Sequence, residues 1–182
     1  KLEGWLSEAS QKSGEYEKEK VFHDITCREI FYKQNDYSQS IISVILDGES
    51  VCAGYSKLFM MLCNASGIET TNITSSNHAW NLIRIGGKWY NVDCTWDDQT
   101  SGTIYKFFNL SDSELKAVDE DGQHLYESRW NGKRPSASTT FYDLYPVIKY
   151  QKQDGKLAVT ITTGTSGAKI YYTTDGTVPT KT

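Results

Sequence analysis

The sequence predicts an α+β domain followed by a short all-β segment. Three observations carry that prediction. Tyr55, Leu58, Phe59 and Leu62 recur at i, i+3, i+4 and i+7, the spacing of one helix face. Two alternating stretches meet at Gly86-Gly87, a two-residue hairpin signal. Beyond the Pro/Ser/Thr-rich stretch Arg134–Thr140, period-2 patterning takes over and no helical spacing returns. The expected division is residues 1–140 as one domain and 141–182 as a β-rich segment.

The elements follow in order. Residues 1–15 are polar, with an apolar anchor at Trp5 and Leu6. From Tyr16 to Tyr32 the charges thin into Val21, Phe22 and Ile25, which predicts a helix. Ile41, Ile42, Val44, Ile45 and Leu46 form an apolar run that fits either a short helix or a buried strand, broken by Asp47-Gly48-Glu49-Ser50. The main helix then begins near Cys52 and stops at Gly67. Strands are expected over Glu69–Ser75, Asn77–Ile85 and Lys88–Thr95. Tyr105, Phe107 and Phe108 predict another buried strand, and Asp112–Val118 a short helix. In the tail, Leu157–Ile161 and Lys169–Tyr172 alternate as strands. That segment is too short to hold a core alone.

Composition excludes several classes. The 182 residues carry a formal net charge of −4 and no Lys/Arg stripe, so nucleic acid is not an expected partner. No apolar run approaches 18 residues, so no membrane span is expected. The chain opens at Lys1 without an apolar leader and reads as a processed or trimmed piece. Cys27, Cys52 and Cys63 fall in helical patterns and Cys94 in a strand pattern, Cys52 and Cys63 lie roughly 16 Å apart along one helix, and no pair has zinc-knuckle spacing, so they read as free thiols without a metal. Asp97-Asp98 and Asp119-Glu120-Asp121 match no calcium loop and read as solvated charges. His23 reads as a surface residue of a polar helix, and His124 as a structural residue of a Gly-rich loop. No cofactor is called for.

The hairpin register assembles a site. With Ile85 opposite Lys88, paired positions place His78, Trp80, Asn91, Asp93 and Thr95 on one face of the sheet. His78 and Asp93 are diagonal neighbours there. A carboxylate beside an imidazole fixes its tautomer and stabilises its cation. Cys52, at a helix start, gains thiolate character from the helix dipole, and its N–H is free to bind an oxyanion. Cys94, one residue from Asp93, faces the other way.

These residues resemble a known family. Gly48-Glu49-Ser50-Val51-Cys52-Ala53-Gly54-Tyr55-Ser56 is similar to the nucleophile segment of bacterial transglutaminase-like domains. Asn77-His78-Ala79-Trp80-Asn81 resembles their histidine strand, and Gly87–Asp98 (GKWYNVDCTWDD) their aspartate strand. The resemblance covers roughly residues 16–140. It implies a papain-like transglutaminase core, with the nucleophile helix packed on an antiparallel sheet. Cys94 stands where a plain aliphatic residue is expected in the family. The stretch Gly167–Thr180 resembles a chitobiase C-terminal, fibronectin III-like repeat of secreted bacterial proteins, only partly present. The pairing implies an extracellular or cell-surface setting.

The expected chemistry is thiol-dependent acyl transfer on protein or peptide amides through Cys52, His78 and Asp93, with hydrolysis as the default and cross-linking as the variant. The expected partner is a protein or peptide substrate, the cell wall among its settings. Tyr55, Trp80 and Trp96 are expected to line the substrate cleft, with Tyr37 and Gln39 as candidate second oxyanion donors. The rival reading is a non-catalytic cell-surface module binding protein or glycan.

Overall fold

A computed structural model describes residues 1–141, 147–153, 156–162, 169–175 and 177. The chain divides into two units, Lys1–Thr140 and Phe141–Thr182. In the first, helix α1 (Leu2–Ser10) packs on α2 (Glu15–Glu29) and buries Trp5 and Ala9. The strand pair β1 (Phe31–Tyr32) and β2 (Glu49–Ser50) runs parallel. Between them lies α3 (Ile41–Leu46), whose Ser40 cap accepts the Ile42 N–H at 3.2 Å. The open choice at that apolar run is thus settled as helix. The polar stretch before residue 15 also forms a helix, α1, which no sequence pattern announced.

Helix α4 (Cys52–Ala65) is the centre of the unit. Its Leu58, Phe59, Leu62 and Cys63 are fully buried. It packs against α2, α3 and the sheet. That sheet has the antiparallel order β3 (Thr70–Thr74), β4 (Ala79–Ile85), β5 (Lys88–Val92). Gly86 and Gly87 both take positive φ, 57° and 80°, the conformation a tight hairpin turn needs. Ile85 pairs with Lys88, and Asn81 with Val92. Central strand β4 is buried on both faces. Helix α4 covers one face. Ile73, Trp80 and Leu82 on the other join Phe107, Leu115 and Ala137 in a second core.

After β5 come α5 (Cys94–Asp97), the short pair β6 (Asp98–Gln99) and β7 (Gly102–Thr103), and α6 (Asp112–Val118). Two expectations fail here. The third strand stops at Val92 instead of Thr95, because the Asp93 side chain accepts the Thr95 and Trp96 N–H groups and starts α5. Cys94 therefore begins a helix. Tyr105, Phe107 and Phe108 lie in irregular chain around a turn, not in a strand. The Phe107 carbonyl accepts the Asp93 N–H at 2.9 Å, and Leu110 makes an isolated bridge to Asn91. Helix α6 matches its expected span and closes a capping box between Ser111 and Glu114.

In the second unit β8 (Val147–Gln153) pairs antiparallel with β9 (Lys156–Thr162), which contains the expected Leu157–Ile161 strand. Lys169–Tyr172 is described outside any strand. The rest of the Gly167–Thr180 stretch lies partly outside the described residues. Among the described residues, no helix is long and apolar enough to cross a membrane.

Candidate active site

Three separate elements deliver Cys52, His78 and Asp93. Cys52 is the first residue of α4 and half-buried. The Gly54 and Tyr55 N–H groups already reach the Val51 carbonyl. The Cys52 and Ala53 N–H groups have no recorded acceptor among the described residues, as expected of a first helical turn. Gly54 permits this seating: a Cβ there would stand 1.9 Å from Ser50 Oγ and 2.9 Å from a Val44 methyl. Only glycine lets the first turn of α4 lie this close to β2.

His78 precedes β4. Its N–H donates to Ser75 Oγ at 3.0 Å, and its carbonyl accepts the Ser75 N–H at 3.0 Å. This small turn holds the backbone still. The ring is buried, and Nε2 lies 2.5 Å from Asp93 Oδ2. That leaves Nδ1 without the carboxylate, and the nearby Cys52 thiol is among the groups that raise His78. Burial opposes the cation, but the Asp93 carboxylate and then Cys52 prevail and lift His78 to about 9.

Asp93 uses its two oxygens differently. Oδ1 caps α5, accepting Thr95 N–H at 2.9 Å and Trp96 N–H at 3.3 Å. Oδ2 receives two imidazoles, His78 at 2.5 Å and His124 at 2.8 Å. Burial would raise the acid, yet the bonds from His124 and then His78 hold it down at about 2.

His124 is the residue that sequence reasoning missed. Its ring is buried, not a loop ornament, and its Nδ1 lies 2.9 Å from Asp119 Oδ1. The His124 N–H also donates to Asp119 Oδ2 at 3.0 Å. Asp119 is therefore an anchored partner, while Glu120 and Asp121 are exposed. His124 Nε2 reaches the same Asp93 oxygen as His78, so the polar chain runs His78, Asp93, His124, Asp119.

The remaining site residues divide. Trp96 meets His78 edge-on at 6.2 Å and lines an open pocket of about 340 Å³ with Tyr32, Asn77, His78, Thr95 and Gln99. Trp80 stacks beside His78 but is buried, with Nε1 donating to Asn91 Oδ1 at 3.1 Å. It forms the wall behind the imidazole. Tyr55 belongs to the core: it is 1% exposed, and its hydroxyl sits 2.9 Å from the Ile30 carbonyl and 2.6 Å from Asp98 Oδ2. Tyr37 is exposed, and the Gln39 carbonyl accepts the Lys57 ammonium; neither lines the pocket beside His78. Tyr32 stands there instead. Burial raises its phenol, and the nearby Cys52 and Asp93 raise it further.

Two readings of charged residues are corrected. His23 is fully buried, with Nε2 3.2 Å from Asp97 Oδ2. Asp97 is likewise fully buried and accepts the Phe107 N–H at 2.9 Å, while half-buried Asp98 holds the Tyr55 hydroxyl. Among the described residues, two sets of side chains have ligand atoms close enough to hold a metal ion: His78, Asp93 and His124, and separately His23, Cys27 and Cys94. All four cysteines carry free thiols.

Residues 148–182 match the chitobiase/beta-hexosaminidase C-terminal domain. Among solved structures the chain is similar to a TGase, at 19% identity and a TM-score of 0.47, covering 64% of this chain and 34% of that one. It is also similar to a candidate cysteine protease from Cytophaga hutchinsonii, at 20% identity and a TM-score of 0.46, covering 57% of this chain and 39% of that one. The chain thus spans well under half the length of either. No curated protein matches it. Residues 5–94, which contain Cys52, His78 and Asp93, match the model of the transglutaminase-like superfamily.

Proposed function

We propose that the first unit catalyses acyl transfer on protein or peptide amides, with Cys52 as nucleophile, His78 as proton shuttle and Asp93 as its orienting partner. The observation that carries this reading is the placement of His78: Nε2 lies 2.5 Å from Asp93 Oδ2, and the Cys52 thiol is near enough to act on the same imidazole. The thiol proton passes to His78 Nδ1, and the sulfur attacks the amide carbonyl. The Cys52 N–H faces the developing oxyanion. His78 then protonates the departing amine, leaving a thioester on Cys52. An acceptor resolves the thioester after losing a proton to His78. Water gives hydrolysis and a lysine amine gives a cross-link. Hydrolysis is the default because the pocket beside His78 is open to water. Asp93 stays ionised throughout.

His124 is a positioning residue in this scheme. It acts through Asp93 and does not reach the thiol. An extracellular or cell-surface bacterial setting, with protein or peptide substrates of the cell wall, fits the chitobiase-type match of the second unit.

The test is incubation with a panel of peptide amides, with and without a primary amine, followed by intact-mass analysis. The reading expects a transient acyl adduct on Cys52 and either free acid or amine-coupled product. Absence of any adduct on Cys52, in a protein whose Cys52 still reacts with alkylating agents, contradicts it.

A further inference from the structure

A second cluster of reactive side chains lies away from the pocket, between α2 and α5. His23 and Cys27 stand four residues apart on α2 and so share one face. Cys94 opens α5 and Asp97 closes it. All four are buried. One ligand atom each from His23, Cys27 and Cys94 lies within 4.8 Å of the others, and Asp97 Oδ2 is 3.2 Å from His23 Nε2. A tetrahedral zinc, with bonds of about 2.0–2.3 Å, holds its ligand atoms roughly 3.3–3.8 Å apart. His23, Cys27 and Cys94 must close by on the order of an ångström to match, and Asp97, outside that triple, must move nearer the two sulfurs.

We propose that His23, Cys27, Cys94 and Asp97 bind one zinc-class cation that ties α2 to α5. The two sulfurs select a soft transition ion over calcium or magnesium. The outer hydrogen bonds that such a site requires are in place. Asp97 Oδ1 accepts the Phe107 N–H at 2.9 Å, leaving Oδ2 for the metal. His23 Nδ1 faces Asp24 Oδ1 at 3.4 Å, leaving Nε2 for the metal. Binding releases to solvent the thiol protons of Cys27 and Cys94 and the second ring proton of His23, which then ligates as a neutral imidazole. The site is structural, because all four positions are filled by protein. It also bears on Asp93, the residue immediately before Cys94: a clamped α5 fixes the carboxylate that caps it. This inference does not depend on the proposed chemistry at Cys52.

The test uses the full chain carrying Cys52→Ala, so that no thiolate at the other ligand cluster contributes. Reduced, metal-stripped protein is titrated with Co²⁺. The expected result is a 1:1 complex with thiolate-to-cobalt charge-transfer absorption and strong visible bands of tetrahedral cobalt. Adding Cys27→Ser or Cys94→Ser should weaken binding more than about 100-fold, beyond what loss of an outer-shell partner costs, while Cys63→Ser leaves it unchanged. Should the serine variants fail to fold, X-ray absorption of the zinc-loaded Cys52→Ala protein decides: two sulfurs at about 2.3 Å and two nitrogen or oxygen atoms at about 2.0 Å are expected. No stoichiometric thiolate–cobalt band, a zinc shell without two sulfurs, or a Cys27–Cys94 disulfide in the isolated protein overturns the proposal.

Discussion

His124 Nε2 lies 2.8 Å from Asp93 Oδ2, the same oxygen that receives His78. Among the interactions that keep Asp93 ionised, the His124 bond is the largest. A hydrogen bond to a charged group is worth about 1.5–3 kcal/mol, or roughly 10–100-fold in rate if it is needed at the transition state. His124→Ala should therefore slow Cys52 alkylation by roughly that factor. The acid limb of its pH profile should move to higher pH, because a less stabilised Asp93 takes up its proton sooner. His124→Gln, which keeps a donor toward Asp93, should recover part of the rate. A profile unmoved in both variants would assign His124 to packing alone.

Tyr55 offers a contrast, since its hydroxyl serves the core. Tyr55→Phe leaves the Ile30 carbonyl and the half-buried Asp98 without their donor. The expected cost is about 1–2 kcal/mol in denaturant unfolding, with Cys52 alkylation unchanged. A variant of full stability and lost reactivity would return Tyr55 to the cleft.

The pH dependence of stability should carry the mark of Glu19. This residue is fully buried on α2; its Oε2 accepts Asn109 Nδ2 at 2.9 Å, and Oε1 has no partner among the described residues. Burial pushes its carboxyl from 4.5 to about 8, against the Asn109 bond and the His23 charge. The folded state thus keeps a proton that the unfolded chain has released. Stability contributed by that proton is present below about 4.5 and lost as pH rises to about 8. Glu19→Gln cannot titrate and retains an acceptor for Asn109. At pH 8 it should be more stable than wild type by a few kcal/mol, roughly, with the difference vanishing near pH 4. Parallel melting curves across that window would place the proton elsewhere.

Much of the site was legible in the sequence because its determinants are local. Gly86-Gly87 fixes a two-residue turn, and the turn fixes the register of β4 and β5. The spacing from Tyr55 to Leu62 announces α4 and puts Cys52 at its start. What escaped was set by tertiary contacts. His23 lies among Lys20 and Asp24, which make α2 look solvated, yet its own face turns inward to Asp97, 74 residues away. His124 meets Asp93 across 31 residues of irregular chain, where no period exists to read. Cys27 and Cys94 are too far apart in sequence to suggest a ligand set, and only the packing of α2 on α5 brings them together. The extended strand expected through Thr95 failed because Asp93, read only as a partner for His78, is also a helix cap.

The central claim is tested most directly by the alkylation rate of Cys52 against pH in wild type and Asp93→Asn, with Cys52→Ala as the unlabelled control. Asparagine keeps the Oδ1 that caps α5, so the fold should hold. Its Nδ2 replaces Oδ2 and presents a donor where His78 Nε2 and His124 Nε2 now donate. It therefore favours the tautomer with the proton on Nδ1 and cannot stabilise the imidazolium. A serine triad loses roughly 10⁴-fold on this change. A thiolate–imidazolium pair leans less on its third member, so the expected loss is about 10–10³-fold, with the profile displaced to higher pH. Coincident profiles for wild type and Asp93→Asn would contradict the assignment of Asp93 as the orienting residue of the site.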